Sequence, residues 1–308
     1  MKQSYPADIA AKPDAIIKRI ISKIIEYWFN VINLVSLICR KYPHVYDSVY
    51  SLNEIIEKKL SVSRFGDGEL MIIRGDGWGF QQYNNILAKR LIEILKSDDP
   101  NIAICIPDVF RNRSRFTEVA RKFWRNHLLN NLLHWNKYIL KDKAYYDTQI
   151  SRFYMDIRDK SHYPETILSL IRQIWDKKDL LIVEGAGSRL GYNNDLFNNA
   201  HSIKRILCPP ENAFTRYDEI FDLSYKNADG KLVLIALGMT ATVLAYDLAK
   251  KGIRAIDIGH VDIEYEWYKM KAFKKVPVDN RYMNEVSCRA YDPISDETYL
   301  NQIISTIT

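Results

Sequence analysis

The sequence predicts an α/β fold: a mainly parallel sheet with helices on both faces, preceded by an amphipathic N-terminal helix. Three observations carry that expectation. Apolar runs of strand length (102–106 IAICI, 180–183 LLIV, 231–237 KLVLIAL) are continuous rather than alternating, as in strands buried on both faces. Stretches with apolar residues at helical spacing separate them. A polar cluster also follows each strand directly: Asp67-Gly68-Glu69, Pro107-Asp108, Glu184 to Arg189, Pro209 to Asn212, Gly238 to Thr242 and Gly259 to Glu264. In an open parallel sheet such positions share one edge, where ligands bind.

Taken in order, residues 13–40 form a long helix. Ile16, Ile17, Ile20, Ile21, Ile24 and Ile25 lie on one face, and Lys18, Arg19, Lys23 and Glu26 on the other. Its charge-poor part, 27–39, is too short to span a bilayer. The helix suits packing on its own domain, self-association, or the surface of an anionic membrane. Pro43 ends it.

A short helix at 51–59 and a strand at 60–65 lead into Gly66-Asp67-Gly68-Glu69. Beyond a Gly-rich patch come a helix at 84–96, the strand 102–106 and a helix at 116–135. Residues 137–159, which include Ser151-Arg152-Phe153-Tyr154, read as irregular. Pro164 opens a helix from a first-turn position. Strands at 180–183 and 205–207 follow. The strand 231–237 runs through Gly238 into a helix over 240–251, which Gly252 stops. The last strand enters RAIDIGHVDIEYEW (254–267), read as extended. That conformation puts Asp262 and Glu264 on one side, with His260 on the same row.

The 308 residues, 47% hydrophobic and 27% charged, describe an ordinary globular protein. A net charge of +6 favours phosphate-bearing ligands or an anionic membrane. Nucleic acid is a minor option and is not expected as a partner, because no basic run is interleaved with aromatics. Cys39, Cys105, Cys208 and Cys288 are scattered, which argues against a zinc site or a disulfide scaffold and for a reducing compartment. The polar, Pro-containing start carries no secretory signal. A cytoplasmic location is expected, extending to the inner face of the membrane through the helix.

Two oxygen ligands such as Asp262 and Glu264, with His260 as a further ligand, suit Mg²⁺ or Mn²⁺ beside a diphosphate. A solvated acidic turn fits the same spacing. In Glu184-Gly185-Ala186-Gly187-Ser188-Arg189 the glycines let amides approach a phosphate, and Arg189 can pair with it bidentately. A plain tight turn is the alternative, since the stretch completes neither GxGxxG nor a P-loop. Gly238 and Thr240 offer amides and a hydroxyl to an anion, or simple helix capping. Arg64, Gly66, Asp67 and Glu69 bring a cation and a second acidic pair to a strand end.

SRFGDGE (63–69), LIVEGAGSRLGYNNDLF (181–197), RILCPPENAF (205–214), ALGMTATVLAYDLAKKG (236–252) and AIDIGHVDIEYEW (255–267) stand in the order of the GT-D fold glycosyltransferase family, which the chain resembles over roughly residues 50–282. The resemblance implies a Rossmann-like, metal-dependent domain that uses a nucleotide sugar, typically UDP-linked, and an acidic DxE motif. It leaves open whether Asp67/Glu69 or Asp262/Glu264 is that motif. Met239 departs from the Pro expected in the family's turn, and Ala186-Gly187 from a charged or bulkier pair.

The implied organisation is an extension (1–48), a transferase domain (49–283) and a C-terminal tail (284–308). The implied activity moves a hexose, of the glucose type, from a UDP-sugar to a glycan acceptor on a protein or lipid carrier, with inversion. Another nucleotide-dependent, metal-assisted transferase or hydrolase is an alternative, as is a non-catalytic sugar-nucleotide-binding subunit. Asp67 or Glu69 would be the general base. Arg64 and Arg189 would take the diphosphate. Gly66, Glu184, Gly185, Gly187, Ser188, Asn212, Gly238 and Thr240 would line the nucleotide-sugar site, and His260, Asp262 and Glu264 would bind the metal.

Overall fold

The structure is a computed structural model. It describes residues 42–283, 286 and 293–308, with single residues between 17 and 35. The chain divides into two compact units, Met1–Tyr42 and Pro43–Thr308. In the first, the described residues between 17 and 35 are helical and expose Ile17, Ile20, Ile21, Ile24, Ile25, Trp28 and Ile32. The rest of the expected N-terminal helix lies outside the described residues.

The second unit runs β1 (His44–Val45), α1 (Ser48–Glu57), β2 (Ser61–Arg64), α2 (Asp67–Arg74), α3 (Asn85–Lys96), β3 (Ile102–Ile106), α4 (Glu118–Tyr138) and β4 (Ala144–Asp147). It continues with α5 (His162–Trp175), β5 (Asp179–Gly185), β6 (Ser202–Cys208), α6 (Tyr217–Asn227), β7 (Leu232–Ala236) and α7 (Met239–Lys250). It closes with β8 (Ala255–Asp257), α8 (Val261–Lys269), α9 (Glu297–Gln302) and β9 (Ile303–Thr306). Among the described residues the sheet has nine strands, in the order β1-β4-β3-β2-β8-β7-β5-β6-β9, and the strand pairs are parallel.

Alternation along the strands supplies both faces of the core. Leu180, Ile182, Leu232 and Leu234 point into one cluster with Ile167, Ile171 and Trp175 of α5 and Trp267 of α8. Leu181, Val183, Val233 and Ile235 point the other way, onto Leu244, Ala245 and Leu248 of α7. Parallel strands need such a cover on each side, which is why these runs carry no polar alternation. The helices start where the side chains say they should: Asn84 Oδ1 accepts the Ile86 and Leu87 amides and caps α3.

Three expectations are corrected. Residues 137–159 are not wholly irregular, because β4 lies within them and pairs with β3 and β1. Residues 284–308 are not simply a tail, because β9 extends the sheet beyond β6. The stretch after β8 is not extended: residues 261–269 are the helix α8. Gly259 makes the turn possible. It adopts φ +45°, and a Cβ there would sit 1.8 Å from Arg64 Nη2.

The strand ends bearing the polar clusters lie along one edge of this sheet. β2 and β8 meet at its centre through Val62 and Ile256. From that seam the crossovers run to β3 and β4 on one side and come in from β7 on the other, the position where open α/β sheets leave a crevice.

Candidate active site

The crevice is a cavity lined along the sheet edge by the loops after β4, β2, β8, β7, β5 and β6. The first turn of α2 stands at its middle, with both Asp67 and Glu69 on the wall. Gly66 caps this helix by donating its N–H to Glu69 Oε2 at 2.7 Å. Glu69 is half-buried, and its carboxyl is pushed up to about 7 by desolvation and then by the nearby Asp257 carboxylate. Helices α7 and α8 also begin at the wall, at Gly238 and His260. Their N-terminal amides and dipoles favour an anion there. Gly238, at φ +53°, permits that approach, since a Cβ would meet Phe80 at 2.1 Å.

The expected residues divide into those that face the cavity and those that hold its walls. Arg64 lines it, but its guanidinium is anchored. Nε and Nη2 donate to the Asp257 carbonyl and carboxylate at 2.8 Å each, and Nη1 donates to Ser151 Oγ at 2.6 Å. Gly185 and Ser188 line it too, whereas Gly187 instead accepts the Tyr282 N–H on its carbonyl at 2.8 Å.

Glu184 is fully buried. It accepts from Arg205 Nη1 at 2.6 Å, from Tyr299 Oη at 3.1 Å and from the Leu190 amide at 2.7 Å. It therefore fixes β5 to β6 and α9 rather than meeting a nucleotide. Arg189, assigned to the diphosphate, is buried away from the cavity wall. It adopts φ +50° and donates to the Asn280 carbonyl at 3.3 Å. Asn212 is structural as well: its Oδ1 accepts the Gln82 amide at 2.7 Å and its N–H meets the Phe80 carbonyl at 2.8 Å, pinning the loop that carries Trp78 and Phe80. Thr240 is fully buried behind the wall.

The expected metal triad does not fit a metal. On a helix, residues i and i+2 diverge, so Asp262 and Glu264 do not converge. Asp262 lies on the cavity wall, but it takes Gly191 N–H at 2.7 Å, Asn194 Nδ2 at 2.8 Å and Arg281 Nε at 2.8 Å, which occupies both of its oxygens. Glu264 takes the Tyr154 and Met155 amides on Oε2 at 2.7 and 2.8 Å and is sealed from the cavity, with no hydrogen-bond partner for Oε1 among the described residues. His260 reaches the wall, with its ring nitrogens 3.1 and 3.3 Å from Arg152 Nη2. Among the described residues no three His, Cys, Asp or Glu side chains gather as metal ligands.

Burial pushes the Glu264 carboxyl up to about 7, reinforced by the Asp156 charge and opposed by Arg152 and the two amides. An acid raised in the native state loses stability as pH climbs from its unfolded value, about 4.5, to about 7, here on the order of 3 kcal/mol. Glu264→Gln keeps the acceptor for the two amides and removes the titration. Urea midpoints of this variant should therefore fall less than wild type between pH 4.5 and 7. A variant whose pH profile parallels wild type would return Glu264 to an ionised role.

Sequence reasoning missed several wall residues. Trp78, Phe80 and Gln81 lie on the loop after α2, Trp124 on α4, and Thr148, Gln149 and Arg152 after β4. The Gly75-Gly77-Gly79 patch signalled that first loop. Nothing in the local pattern signalled the β4 turn, because β4 itself was not legible.

Comparisons with known proteins come to the same place. Residues 62–286 match the glycosyltransferase GT-D fold family. The chain is 40% identical over 259 residues to a probable glycosyl transferase of Streptococcus gordonii and, over the same length, to the glycosyltransferase GlyD of Streptococcus pneumoniae serotype 4. These alignments take in 83% of this chain but 38% and 32% of the relatives, so the chain spans about a third of their length. A solved domain of unknown function 1792, described as having a distinct glycosyltransferase fold, superposes with a TM-score of 0.85 at 42% identity, covering 90% of this chain and 100% of that one. A glycosyltransferase structure from Streptococcus sanguinis gives 0.82 at 38% identity, covering 87% and 100%.

Proposed function

The chain belongs to the glycosyltransferase GT-D fold family, and from that premise we propose that its cavity binds a UDP-linked hexose and transfers the sugar to a hydroxyl of a glycan acceptor. One observation carries the reading: the acidic first turn of α2 opens into a cavity that also receives the N-termini of α7 and α8 and the guanidinium of Arg152. Acids and anion-binding groups on facing walls suit a diphosphate with a reacting hydroxyl beside it.

The donor set fits a hard divalent cation at Asp67, since one or two carboxylates together with substrate phosphates are enough for Mg²⁺ or Mn²⁺. Such an ion would neutralise charge on the departing diphosphate. The chain's own groups supply the rest. The amides at the starts of α7 and α8 and the Arg152 charge hold the diphosphate, taking the role first expected of Arg189. Glu69, fixed through Oε2 by Gly66, presents its other oxygen to the acceptor hydroxyl and takes its proton as the acceptor oxygen bonds to the anomeric carbon. The bond from that carbon to the phosphate oxygen breaks with it, and UDP leaves. A single displacement of this kind inverts the anomeric centre.

The described N-terminal residues, with exposed isoleucines and the nearby Lys23, suit a second copy of the chain or an anionic membrane near a lipid-linked acceptor. No described helix is long and apolar enough to cross a membrane.

The test is to incubate the chain with a panel of radiolabelled UDP-, GDP- and dTDP-hexoses plus Mn²⁺, without acceptor, and follow release of free sugar. Release from a UDP-hexose above all others is the expected outcome. Release from GDP-sugars alone, or from none, would overturn the donor assignment.

A further inference from the structure

We propose that Gln149 reads the hydroxyl pattern of the transferred hexose and so sets which UDP-sugar the protein accepts. This rests on the reading of the cavity given above. Gln149 lines the cavity and is 1% exposed, yet among the described residues neither its amide oxygen nor its amide nitrogen has a hydrogen-bond partner. Leaving a buried amide unpaired is unfavourable, so a side chain held this way at a cavity wall is poised for a ligand that supplies both an acceptor and a donor. Neighbouring hydroxyls of a hexose do so.

The turn beneath it is held firmly. Asp147, at the end of β4, accepts from Ser48 Oγ at 2.5 Å and from Arg115 Nη1 at 2.7 Å, and its N–H donates to Ser51 Oγ at 3.0 Å. Asp147 Oδ1 then accepts the Gln149 N–H at 3.0 Å, and the Gln149 carbonyl accepts the Arg152 N–H at 2.9 Å. On the same turn Ser151 braces Arg64, and Arg152 reaches His260. Asp147 and its partners Ser48, Ser51 and Arg115 have no part in the chemistry described above. Its effect is to present Gln149 to the cavity in one orientation, as a specificity contact requires.

The two halves of the cavity differ in a way that places the sugar here. Beyond β5, β6 and β7 the wall is glycine, proline and apolar surface (Gly185, Pro209, Pro210, Leu237), which suits a flat base and backbone contacts to phosphate. Beyond β4 it is Thr148 and Gln149, which suits hydroxyls, with Arg152 and His260 beside them at the diphosphate. Asp67 and Glu69 stand between, where the bond to the anomeric carbon would break.

Gln149→Met keeps the length of the side chain and removes the amide, and Gln149→Ala removes both. Calorimetric titration with UDP and steady-state turnover of UDP-glucose, UDP-galactose and UDP-N-acetylglucosamine would be measured for each. UDP affinity should stay within about twofold. The kcat/KM for the preferred UDP-hexose should fall by about 10- to 100-fold, and the ratio between it and its epimer should shrink, since a polar contact left unmade discriminates strongly. The melting temperature of Gln149→Met should hold or rise, because an orphaned amide is removed. A parallel fall in UDP affinity would place the amide on the base, and unchanged sugar ratios or a lower melting temperature would make it structural. Each of these overturns the proposal while leaving the transferase reading intact. Failure of the wild-type chain to bind UDP or turn over any UDP-hexose would instead overturn both.

Discussion

Glu69→Gln should lower turnover of the donor by about a hundred- to ten-thousand-fold while leaving the fold intact, the range expected when a positioned general base is neutralised. The substitution is close to isosteric, and its amide oxygen can still accept the Gly66 N–H, so the start of α2 should keep its cap. The informative comparison is with substrate binding. UDP affinity should change little, because Glu69 is assigned to the proton and not to the diphosphate. Rapid-quench measurement of the sugar released in a single turnover separates the two. A Glu69→Gln variant that cleaves its donor at the wild-type rate would remove Glu69 from the chemistry.

The second large effect is on stability. Arg281→Met should destabilise the protein by about 3–5 kcal/mol, because it leaves the Asp262 carboxylate buried without its cation. Both partners of this pair are about as enclosed as any in the protein, at 2% and 1% side-chain exposure. Arg281 also donates through Nη2 to the Tyr192 carbonyl at 2.5 Å, tying the chain after α8 to the loop after β5. Thermal unfolding of the variant should start on the order of 10 °C lower. Replacing both partners, as in Arg281→Met with Asp262→Leu, should recover part of that loss, since two apolar groups leave no unpaired charge. If Arg281→Met melts with wild type, Asp262 is not held by this pair, and a ligand role for it reopens.

What the sequence made legible, and what it did not, follows from the range of the interactions involved. β3, β5 and β7 were readable because each is a continuous apolar run; β2, β6 and β8, shorter or more polar, were marked by the polar clusters that follow them, and the parallel topology placed the loops after all six on one edge. That is how Asp67, Glu69, Gly185, Ser188, Gly238 and His260 came to be named together, and the cavity does gather them. β1, β4 and β9 span 2–4 residues, too short to show a period, and their strand character comes from pairing with neighbours far along the chain.

The roles of Asp262, Glu264 and Glu184 were hidden for a related reason. Their partners, Arg281, the Tyr154 and Met155 amides, and Arg205 with Tyr299, lie 19 to 115 residues away in sequence. A carboxylate bonded inside the protein and one reserved for a metal look alike in a one-dimensional pattern. Gln149 was hidden twice over, since it depends on β4 and its meaning lies in what it fails to bond.

Placing the metal and diphosphate at the first turn of α2 rather than at α8 is the step that most needs a direct measurement. Calorimetric titration of UDP with and without Mn²⁺ should show a metal-dependent gain in affinity for the wild-type chain. That gain should be lost in Asp67→Asn and retained in Glu264→Gln. A folded Glu264→Gln that loses the gain while Asp67→Asn keeps it would contradict the placement and return the metal to the α8 acids.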